Sequence, residues 1–298
     1  MNQPLVTIIV VSYNHAKYIP ENLENIKNQT YGNIQLIVGD DASADNSVEV
    51  FEQWLQQNNY SAEKNFHTQN TGFAEMLNEC IELAKGEYIK VLAADDYLHP
   101  EAIQKCVEKL ESCGESYGMV YSNTHAINDD SEIIDDLADY DAFGTIDPET
   151  LRKDVIKYNR IPALTVVMRT KVLHETGKYD AQFIAEDYYR WLKIREKYMI
   201  AYIPEKLAYY RVHTGNISKL RAERLDNEFT MLQMMFDTDG TVRNKVNGFI
   251  QDKYLAKKEI PKDLFELYKN YPFNVKRLVF CIQYHIPPKI FEAVCKFI

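Results

Sequence analysis

The chain has 298 residues, of which 46% are hydrophobic and 26% are charged, as in ordinary globular proteins. Its formal net charge of −10 argues against nucleic acid as a partner, because phosphate binding needs a basic face. No stretch approaches the roughly 20 apolar residues of a membrane-spanning helix, and the N-terminus lacks the pattern of an export signal. Five cysteines without a CxxC pair indicate reduced thiols rather than a zinc site or a disulfide framework, so we expect a cytoplasmic protein.

The first part of the chain alternates short β-branched runs with longer amphipathic stretches. This pattern predicts, in chain order, strand Leu5–Val11, helix Tyr18–Asn28, strand Ile34–Gly39, helix Asn46–Gln56, helix Phe73–Lys85, strand Tyr88–Ala93, helix Pro100–Gly114 and strand Tyr117–Thr124. Strands that alternate with helices predict an α/β fold with a mostly parallel central sheet flanked by helices.

The pattern changes after this point. An acidic stretch at Asp129–Asp141 predicts an exposed loop, and it is followed by a predicted strand at Ala163–Arg169, a helix at Glu186–Tyr198 and a strand at Leu207–His213. The rest of the chain has only helical patterns. Residues 241–298 carry 11 Lys and Arg against 5 Asp and Glu, unlike the acidic remainder. We therefore predict an α/β domain over residues 1–220 and a C-terminal helical extension over residues 221–298.

Polar residues follow three of the predicted strands, in the clusters Ser12-Tyr13-Asn14, Asp40-Asp41 and Asp95-Asp96. Ligands of parallel α/β sheets bind beyond the carboxyl ends of the strands, so three clusters there predict a site. Adjacent carboxylates suit a hard divalent cation, although a pair of aspartates also caps a following helix. An acidic side chain of the Asp40-Asp41 pair is able to accept hydrogen bonds from a base imide or a ribose hydroxyl, or to cap the helix that follows. The tyrosine ring is suited either to stacking on a base or to packing.

Taken with later motifs, these residues resemble the family-2 inverting glycosyltransferases. The motifs are, in order, VTIIVVSYN, VGDDAS, NTG, ELAKGEYIKVLAADD, RTKVLHETGKYD, EDYYRWLKI and YYRVHTGNIS, and they extend from residue 4 to about residue 218. The resemblance implies the GT-A fold and the transfer of a sugar, with inversion, from a nucleotide-diphosphate donor to an acceptor hydroxyl. It also implies a UDP-sugar as the donor, a saccharide or lipid-linked saccharide as the acceptor, and a role in cell-surface polysaccharide or glycoconjugate assembly.

The same resemblance implies roles for residues at the strand ends. Val11 and Tyr13 would contact the base and Asp41 its imide nitrogen, while Asp95 would lie near the ribose and Asp96 on a Mn²⁺ or Mg²⁺ ion. The chain departs from the family at two positions, where Ala93 replaces an acid of the metal motif and Leu77 replaces an arginine that meets the nucleotide. Asn78, the next residue after the second departure, is a further candidate for the nucleotide-sugar site.

Three candidates come from the later motifs. Asp187 matches the family's catalytic base, and a carboxylate in the first turn of a helix is stabilised as an anion. The alternative is a favourable helix-terminal charge and nothing more. His213 matches a histidine that lies near the diphosphate or metal, unless backbone groups simply satisfy its ring. Arg211 would lie on the same face of the strand as His213, and it is a candidate for the positive charge that is missing at Leu77.

Two other classes of protein remain as alternatives. A dehydrogenase or nucleotidyltransferase is disfavoured. These classes need glycine in the first strand-to-helix turn, which lets the backbone approach a phosphate group, and the turn here (SYNHAK) contains none. A catalytically inactive module of the same fold, which would bind a nucleotide sugar or act as a scaffold, is the second alternative. The retained aspartates argue against it.

The end of the chain suggests a membrane contact. Helical spacing from Lys289 onward places Ile290, Val294, Phe297 and Ile298 on one face and Lys289, Glu292 and Lys296 elsewhere. Such a helix is able to lie on an anionic membrane, which would place the protein at the inner face of the membrane. It is equally able to pack on the protein itself or on a second subunit of a homo-oligomer.

Overall fold

The computed structural model describes residues 3–135 and 147–295. Several sequence-based predictions fall elsewhere. The second half of the predicted acidic loop lies outside the described residues. So do the following members of the predicted tail helix: Lys296, Phe297 and Ile298, with the side chains of Glu292 and Val294.

The chain forms two compact units. The first comprises Met1–Val155 with Arg160–Asn216, and the second comprises Ile156–Asn159 with Ile217–Ile298. The predicted site residues all belong to the first unit. Because a short segment inside the first unit joins the second, the two units do not follow one another simply along the chain.

The first unit is built on a sheet of nine strands within the described residues. The strands are β1 (Val6–Ser12), β2 (Ile34–Asp40), β3 (Glu63–Phe66), β4 (Tyr88–Ala93), β5 (Tyr97–Leu98), β6 (Tyr117–Ile127), β7 (Ile133–Ile134), β8 (Val167–Arg169) and β9 (Met199–Arg211). Their order across the sheet is β3-β2-β1-β4-β8-β6-β9-β5, and β7 pairs with β6. Strands β1 to β4 run parallel, as predicted, whereas β8 runs antiparallel to both of its neighbours.

Helices connect the strands of the first unit and make up the second. In the first unit they are α1 (Ile19–Lys27), α2 (Ser47–Gln57), α3 (Phe73–Glu82), α4 (Ala102–Cys113), α5 (Pro148–Asp154), α6 (Thr170–Thr176) and α7 (Glu186–Arg195). In the second unit they are α8 (Ile217–Leu220), α9 (Ala222–Phe236), α10 (Arg243–Leu255), α11 (Lys262–Asn270), α12 (Lys276–Gln283) and α13 (Pro288–Cys295). None of these helices in the described chain combines the length and the apolar character needed to cross a bilayer.

The core around β1 explains why the elements near the site are held firmly. β1 is buried along its whole length, as its continuous apolar run predicts. Ile8 packs in one cluster with Ile19 and Leu23 of α1. Helix α3 contacts β1 and β2, where Gly39 leaves room, because a Cβ there would lie 2.7 Å from Sδ of Met76. Apolar packing therefore anchors the helices on both sides of the strands that lead to the site.

The predicted strand at Ala163–Arg169 is wrong in its first half. Ala163–Thr165 forms a 3-10 turn, and only Val167–Arg169 pairs in the sheet. The ammonium group of Lys90, which is buried in β4, donates to the carbonyl oxygens of Leu164 and Val166. Burial lowers the pKa of Lys90 to about 7. The turn thus places its carbonyl groups around a buried donor, an interaction that residue periodicity does not reveal.

Strand β9 begins at Met199, well before the predicted start at Leu207. Its pairing register with β6 shifts between Ile203 and Lys206, so the intervening residues, including Pro204, form a bulge. Proline is tolerated in a strand at such a bulge, because no ladder hydrogen bond needs its missing N–H. The proline therefore made a continuous strand look interrupted in the sequence.

Three short strands have no counterpart in the sequence-based prediction. They are β3, β5 and β7, and the last of them lies within the stretch predicted as an acidic loop. β5 and β7 contain two residues each, too few for any periodicity, and β3 is a polar strand at the edge of the sheet. Pairing with a neighbouring strand, rather than local pattern, produces these elements.

Candidate active site

The carboxyl ends of β1, β2 and β4 lie side by side, because these neighbouring strands run parallel. Val11 pairs in register with both Gly39 and Ala93, so the residues that follow the three strands emerge at one edge of the sheet. The three polar clusters identified in the sequence therefore follow adjacent strand ends. Tyr13 is 49% exposed at this edge, whereas Val11 is buried within β1.

Asp95 and two histidines form a compact cluster at this edge. Nε2 of His213 lies 2.9 Å from Oδ2 of Asp95, and Nδ1 of His15 lies 3.7 Å from Oδ1 of the same carboxylate. One nitrogen or oxygen atom from each side chain lies within 4.8 Å of the others, and no other group of three such side chains in the described chain meets this condition. A carboxylate and imidazole nitrogens are ligands that divalent metal ions accept, so these residues fit a metal site.

The two adjacent aspartates have different environments. Burial alone would raise the pKa of Asp95, but the hydrogen bond with His213 and the electrostatic interaction with His15 lower it. Burial and the neighbouring charge of Asp95 raise the pKa of Asp96 well above its ordinary value. Asp95 is therefore the carboxylate that remains ionised beside the two histidines.

The position of Asp96 differs from the sequence-based expectation that it holds the metal. Its Oδ1 accepts the backbone N–H of Arg211 at 2.8 Å, and its backbone oxygen accepts a hydrogen bond from Asn22. The Asp96 carboxylate is not a member of the cluster that brings Asp95 and His213 together. Asp96 joins the end of β9 to the site, and Asp95 takes the position facing the histidines.

Arg211 was expected near the diphosphate, but its guanidinium group is 1% exposed and committed to protein partners. Nε donates to the backbone oxygen of Asp95, and the two terminal nitrogens donate to the backbone oxygen of Asn128 and to Oε2 of Glu21. The guanidinium carbon also lies 4.7 Å from the ring centre of Tyr18. These contacts join the loops that carry the site, so Arg211 has a structural role in this conformation.

Replacing this group tests its structural role. Arg211→Met is expected to lower the free energy of unfolding by about 3–5 kcal/mol, because buried acceptors lose their charged donor. Glu21→Gln should cost at most about 1 kcal/mol, since Glu21 is largely solvated and glutamine still accepts a hydrogen bond. Urea unfolding measures both. If Arg211→Met lowers the free energy of unfolding by less than about 1 kcal/mol, the structural role is wrong and Arg211 is again a candidate for binding the diphosphate.

Asp41 is buried and shapes the turn that precedes α3. Its Oδ1 accepts the N–H of Thr71 and its Oδ2 the N–H of Gly72, each at 2.8 Å. Nδ1 of His67 lies 3.0 Å from Oδ1, and Nε2 of the same ring lies 2.7 Å from Glu79. Burial lowers the pKa of His67, but hydrogen bonds to Glu79 and Asp41 raise it above its ordinary value. Asp41 thus holds the turn, and Oδ2 retains a lone pair for a ligand.

Asn78 was expected at the nucleotide, yet its amide is committed to the protein. Nδ2 donates to the backbone oxygen of Tyr179 at 2.9 Å, and Oδ1 accepts the backbone N–H of the same residue at 2.8 Å. The side chain is buried, which makes this pair of hydrogen bonds well protected from water. Asn78 therefore ties α3 to the segment that leads into α7.

Glu186 and Asp187 occupy the first turn of α7, as the sequence predicts. Burial raises the pKa of the nearby Tyr179 to about 12, the Arg190 guanidinium opposes this rise, and the charges of Glu186 and Asp187 add to it. The carboxylates therefore lie close enough to Tyr179 to act on it electrostatically. The hydrogen bonds between Asn78 and the backbone of Tyr179 hold the segment that leads into this helix.

His15 is the member of the cluster that sequence reasoning missed. It lies just after β1, in a turn held by the neighbouring turn between β2 and α2. The N–H of Asn14, which has a φ of 60°, donates to Oγ of Ser43 at 2.8 Å, and the N–H of His15 donates to Oγ of Ser47 at 3.2 Å. Its position directly after a buried strand was the signal that could have identified it, because His213 follows another strand end in the same way.

Two solved structures are similar to this geometry. Staphylococcus aureus TarS in complex with UDP-GlcNAc has a TM-score of 0.70 and 15% identity, covering 92% of this chain and 82% of that one. The mannosyltransferase PcManGT of Pyrobaculum calidifontis, in complex with GDP-Man and Mn²⁺, has a TM-score of 0.57 and 17% identity, covering 91% of this chain and 70% of that one. The fold is therefore that of the GT-A glycosyltransferases, as the motifs imply.

Sequence comparison identifies the family. The family model described as glycosyl transferase family 2 matches residues 7–174. The chain is also 30% identical over 231 residues to the UDP-Glc:alpha-D-GlcNAc-diphosphoundecaprenol beta-1,3-glucosyltransferase WfaP of Escherichia coli, covering 77% of this chain and 86% of that relative. This protein belongs to glycosyl transferase family 2, which confirms the resemblance found in its motifs.

Proposed function

We propose that this family-2 glycosyltransferase is an inverting enzyme that moves a hexosyl or N-acetylhexosaminyl group from a UDP-linked donor to a hydroxyl of a saccharide or lipid-linked saccharide. The observation that carries the proposal is the cluster of Asp95, His213 and His15 at the carboxyl ends of adjacent strands. The UDP-GlcNAc complex of TarS and the name of WfaP support the donor, and the latter supports a lipid-linked acceptor. We assign the product to a cell-surface polysaccharide or glycoconjugate.

The proposed cofactor is Mn²⁺ or Mg²⁺, held by Asp95 and His213. The Mn²⁺ complex of PcManGT supports a metal in this fold, and the ionised carboxylate beside an imidazole supports the position. When bound, such an ion offsets the charge that develops on the departing diphosphate. Two contacts hold Asp95 in position. The Asp96 carboxylate accepts the backbone N–H of Arg211 in β9, and Nε of Arg211 donates to the backbone oxygen of Asp95.

The nucleotide is proposed to lie against the ends of β1 and β2. The exposed ring of Tyr13 offers a stacking surface for the uracil, and Val11, which is buried near the end of β1, is the proposed apolar contact of the base. Oδ2 of Asp41 is the acceptor proposed for the base imide, with Thr71 and Gly72 fixing its orientation. Because these groups belong to strand ends and a hydrogen-bonded turn, we expect them to be oriented before the nucleotide binds.

Asp187 is the proposed general base. Its place in the first turn of α7 stabilises the carboxylate as an anion, so it is able to take the proton of the acceptor hydroxyl at neutral pH. The acceptor oxygen then forms a bond to the anomeric carbon from the face opposite the nucleotide. The bond between that carbon and the diphosphate oxygen breaks, and the nucleoside diphosphate leaves with the electron pair. A single displacement of this kind converts an α-linked donor into a β-linked product.

A panel of sugar nucleotides tests the proposal. Incubating the protein with each donor and Mn²⁺, and measuring released nucleoside diphosphate, identifies donors that the protein hydrolyses or transfers. Release from a UDP-sugar that stops with EDTA is the expected result. Binding of UDP without release of nucleoside diphosphate from any donor, whether or not an acceptor is present, would instead identify the catalytically inactive module of the same fold.

A second part of the proposal concerns residues 221–298, which we regard as a helical extension that follows a catalytic domain over residues 1–220 in the sequence. The stretch from Tyr271 to Phe291 contains no acidic residue. Its exposed apolar side chains are Phe280 (57% exposed), Tyr284 (59%) and Ile290 (52%), and its exposed basic side chains are Lys276, Arg277 and Lys289. Aromatic and basic side chains together suit an anionic membrane, at about 1 kcal/mol for each basic residue.

We therefore propose a cytoplasmic protein that associates peripherally with the inner face of the membrane. Replacing Phe280 and Tyr284 together by serine is expected to reduce cosedimentation with anionic liposomes, because the aromatic contacts with the interface are lost. Leu220→Ser is a matched control, since Leu220 is also exposed, at 68%, but lies outside the stretch from Tyr271 to Phe291. If the wild-type protein stays in the supernatant at low salt, or dimerises through this face in sedimentation velocity, the membrane contact is wrong.

A further inference from the structure

We infer that His15 is a third protein ligand of the metal, and that the resulting set of two imidazoles and one carboxylate selects Mn²⁺ or Co²⁺ over Mg²⁺. The inference rests on the metal dependence in the proposed function, and it adds both a residue and an ion preference to it. The sequence motifs gave His15 no role, so the case depends on the contacts of its side chain alone.

The first observation is a pair of buried polar atoms without partners. Nδ1 of His15 and Oδ1 of Asp95 are both buried, and neither makes a hydrogen bond in the structure. They face each other at 3.7 Å, which is too long for a hydrogen bond between them. Buried polar groups in native proteins are nearly always satisfied, so two unsatisfied atoms that converge indicate a missing partner. Oδ1 of Asp95 carries lone pairs, as does Nδ1 of His15 when the ring proton is on Nε2, and a divalent cation is a partner that both atoms would bind.

The second observation is the geometry of the three side chains. Nε2 of His213 and Oδ2 of Asp95 are 2.9 Å apart and share a hydrogen bond, whose proton would leave when an ion binds to both atoms. Neighbouring ligands of an octahedral ion lie about 3 Å apart, because its bonds are about 2.1 Å long. The rings of His15 and His213 have centres 6.1 Å apart and planes at 85°, so they approach Asp95 from different directions. The three side chains thus bring one possible ligand atom each within 4.8 Å of the others.

The third observation is that both imidazoles are held in place. The ring of Tyr18 stacks on His213 with centres 5.7 Å apart and meets the edge of His15 at 6.1 Å. The hydroxyl of Tyr18 donates to Asp129, which fixes this ring in turn. The backbone of His15 is anchored through Ser47, as described above. Ligands that are already oriented lose little entropy on binding an ion, as a metal site requires.

Ion preference follows from the ligand atoms. Mg²⁺ prefers oxygen ligands and keeps several waters, whereas imidazole nitrogens favour first-row transition ions. Within that row, affinity for one site rises from Mn²⁺ to Co²⁺. A site with one histidine discriminates weakly against Mg²⁺, and a second imidazole strengthens that discrimination. We therefore expect the affinity, measured with UDP present, to rise in the order Mg²⁺, Mn²⁺, Co²⁺.

Pulsed EPR of Mn²⁺ bound to the full-length protein with UDP tests the inference, because it detects nitrogen ligands directly. Two coupled imidazole nitrogens are expected in the wild type, one in His15→Gln and one in His213→Gln. His15→Gln should also weaken Mn²⁺ binding by about 10–100-fold, since even outer-shell partners of a metal have effects of that size. Its effect on Mg²⁺ should be smaller. His174→Gln is the control, because His174 is exposed on α6.

The outcomes separate this inference from the proposed function. A wild-type spectrum with one coupled nitrogen, lost only in His213→Gln, would overturn the role of His15 and leave the metal site intact. A wild-type protein that binds no Mn²⁺ with UDP would overturn the metal dependence and this inference together. The nitrogen count of the wild type decides the question even if a variant does not fold.

Discussion

Asp187→Asn is expected to bind the donor as the wild type does while losing about 10²–10⁴-fold in turnover, the usual effect of removing a general base. The amide has nearly the shape of the carboxylate but cannot accept the proton of the acceptor hydroxyl. The N-terminal turn of α7 and its contacts near Tyr179 should be preserved. Single-turnover transfer from the UDP-sugar, together with calorimetric affinity for UDP, measures the two effects separately.

Glu186→Gln is the matched control for that variant, because the two carboxylates are adjacent in the same helical turn. It should retain most of the activity if Asp187 is the base. Loss of activity in Glu186→Gln with near-normal turnover in Asp187→Asn would transfer the role to Glu186. The configuration of the product, determined by NMR, is a separate test, since a product that retained the donor's configuration would exclude the single displacement.

The second large effect is expected at the metal. Asp95→Asn should abolish the part of UDP affinity that depends on the metal, because the site loses its only charged ligand while keeping its shape. Asp95 is the ionised member of the pair, held beside His213 and His15. Calorimetric titration with UDP, with Mn²⁺ and then with EDTA, measures that part. Equal affinities under both conditions in the wild type would show that nucleotide binding does not need the ion.

Asp96→Asn distinguishes the structural assignment from the one implied by the motifs. Its carboxylate accepts the backbone N–H of Arg211, so the amide oxygen can still accept that hydrogen bond. Because Asp96 is not a member of the cluster, its replacement leaves the contacts of Asp95 with His213 and His15 in place. We expect metal-dependent UDP binding to persist in this variant. Its loss in Asp96→Asn but not in Asp95→Asn would restore Asp96 as the metal ligand.

Arg211 and Asn78 show why motif position does not establish a residue's role. Both lie beside positions that the motifs place near the nucleotide or metal, and both direct their polar atoms into the protein, one to loop carbonyls and the other to the backbone of Tyr179. A motif records which residue type occurs at a position. Whether that side chain faces a ligand depends on partners more than a hundred residues away in the chain, as for Asp95 with Arg211.

The sequence by itself determined the alternation of strands and helices around β1, β2 and β4, because buried parallel strands and amphipathic helices impose local periodicities of their own. It also determined the family, through seven motifs in a specific order, and the edge of the sheet where polar residues would meet. Each of these properties depends on neighbours within one element or on the order of elements along the chain.

Only the tertiary structure decided which aspartate faces the histidines, that His15 joins them, and that β8 runs against its neighbours. It also showed that a bulge lets β9 continue past Pro204. These features arise where separate elements meet, through hydrogen bonds and burial between residues far apart in the chain. The two adjacent aspartates have the same chemistry in the sequence, and only the burial of one against β9 and the contact of the other with two imidazoles distinguish them.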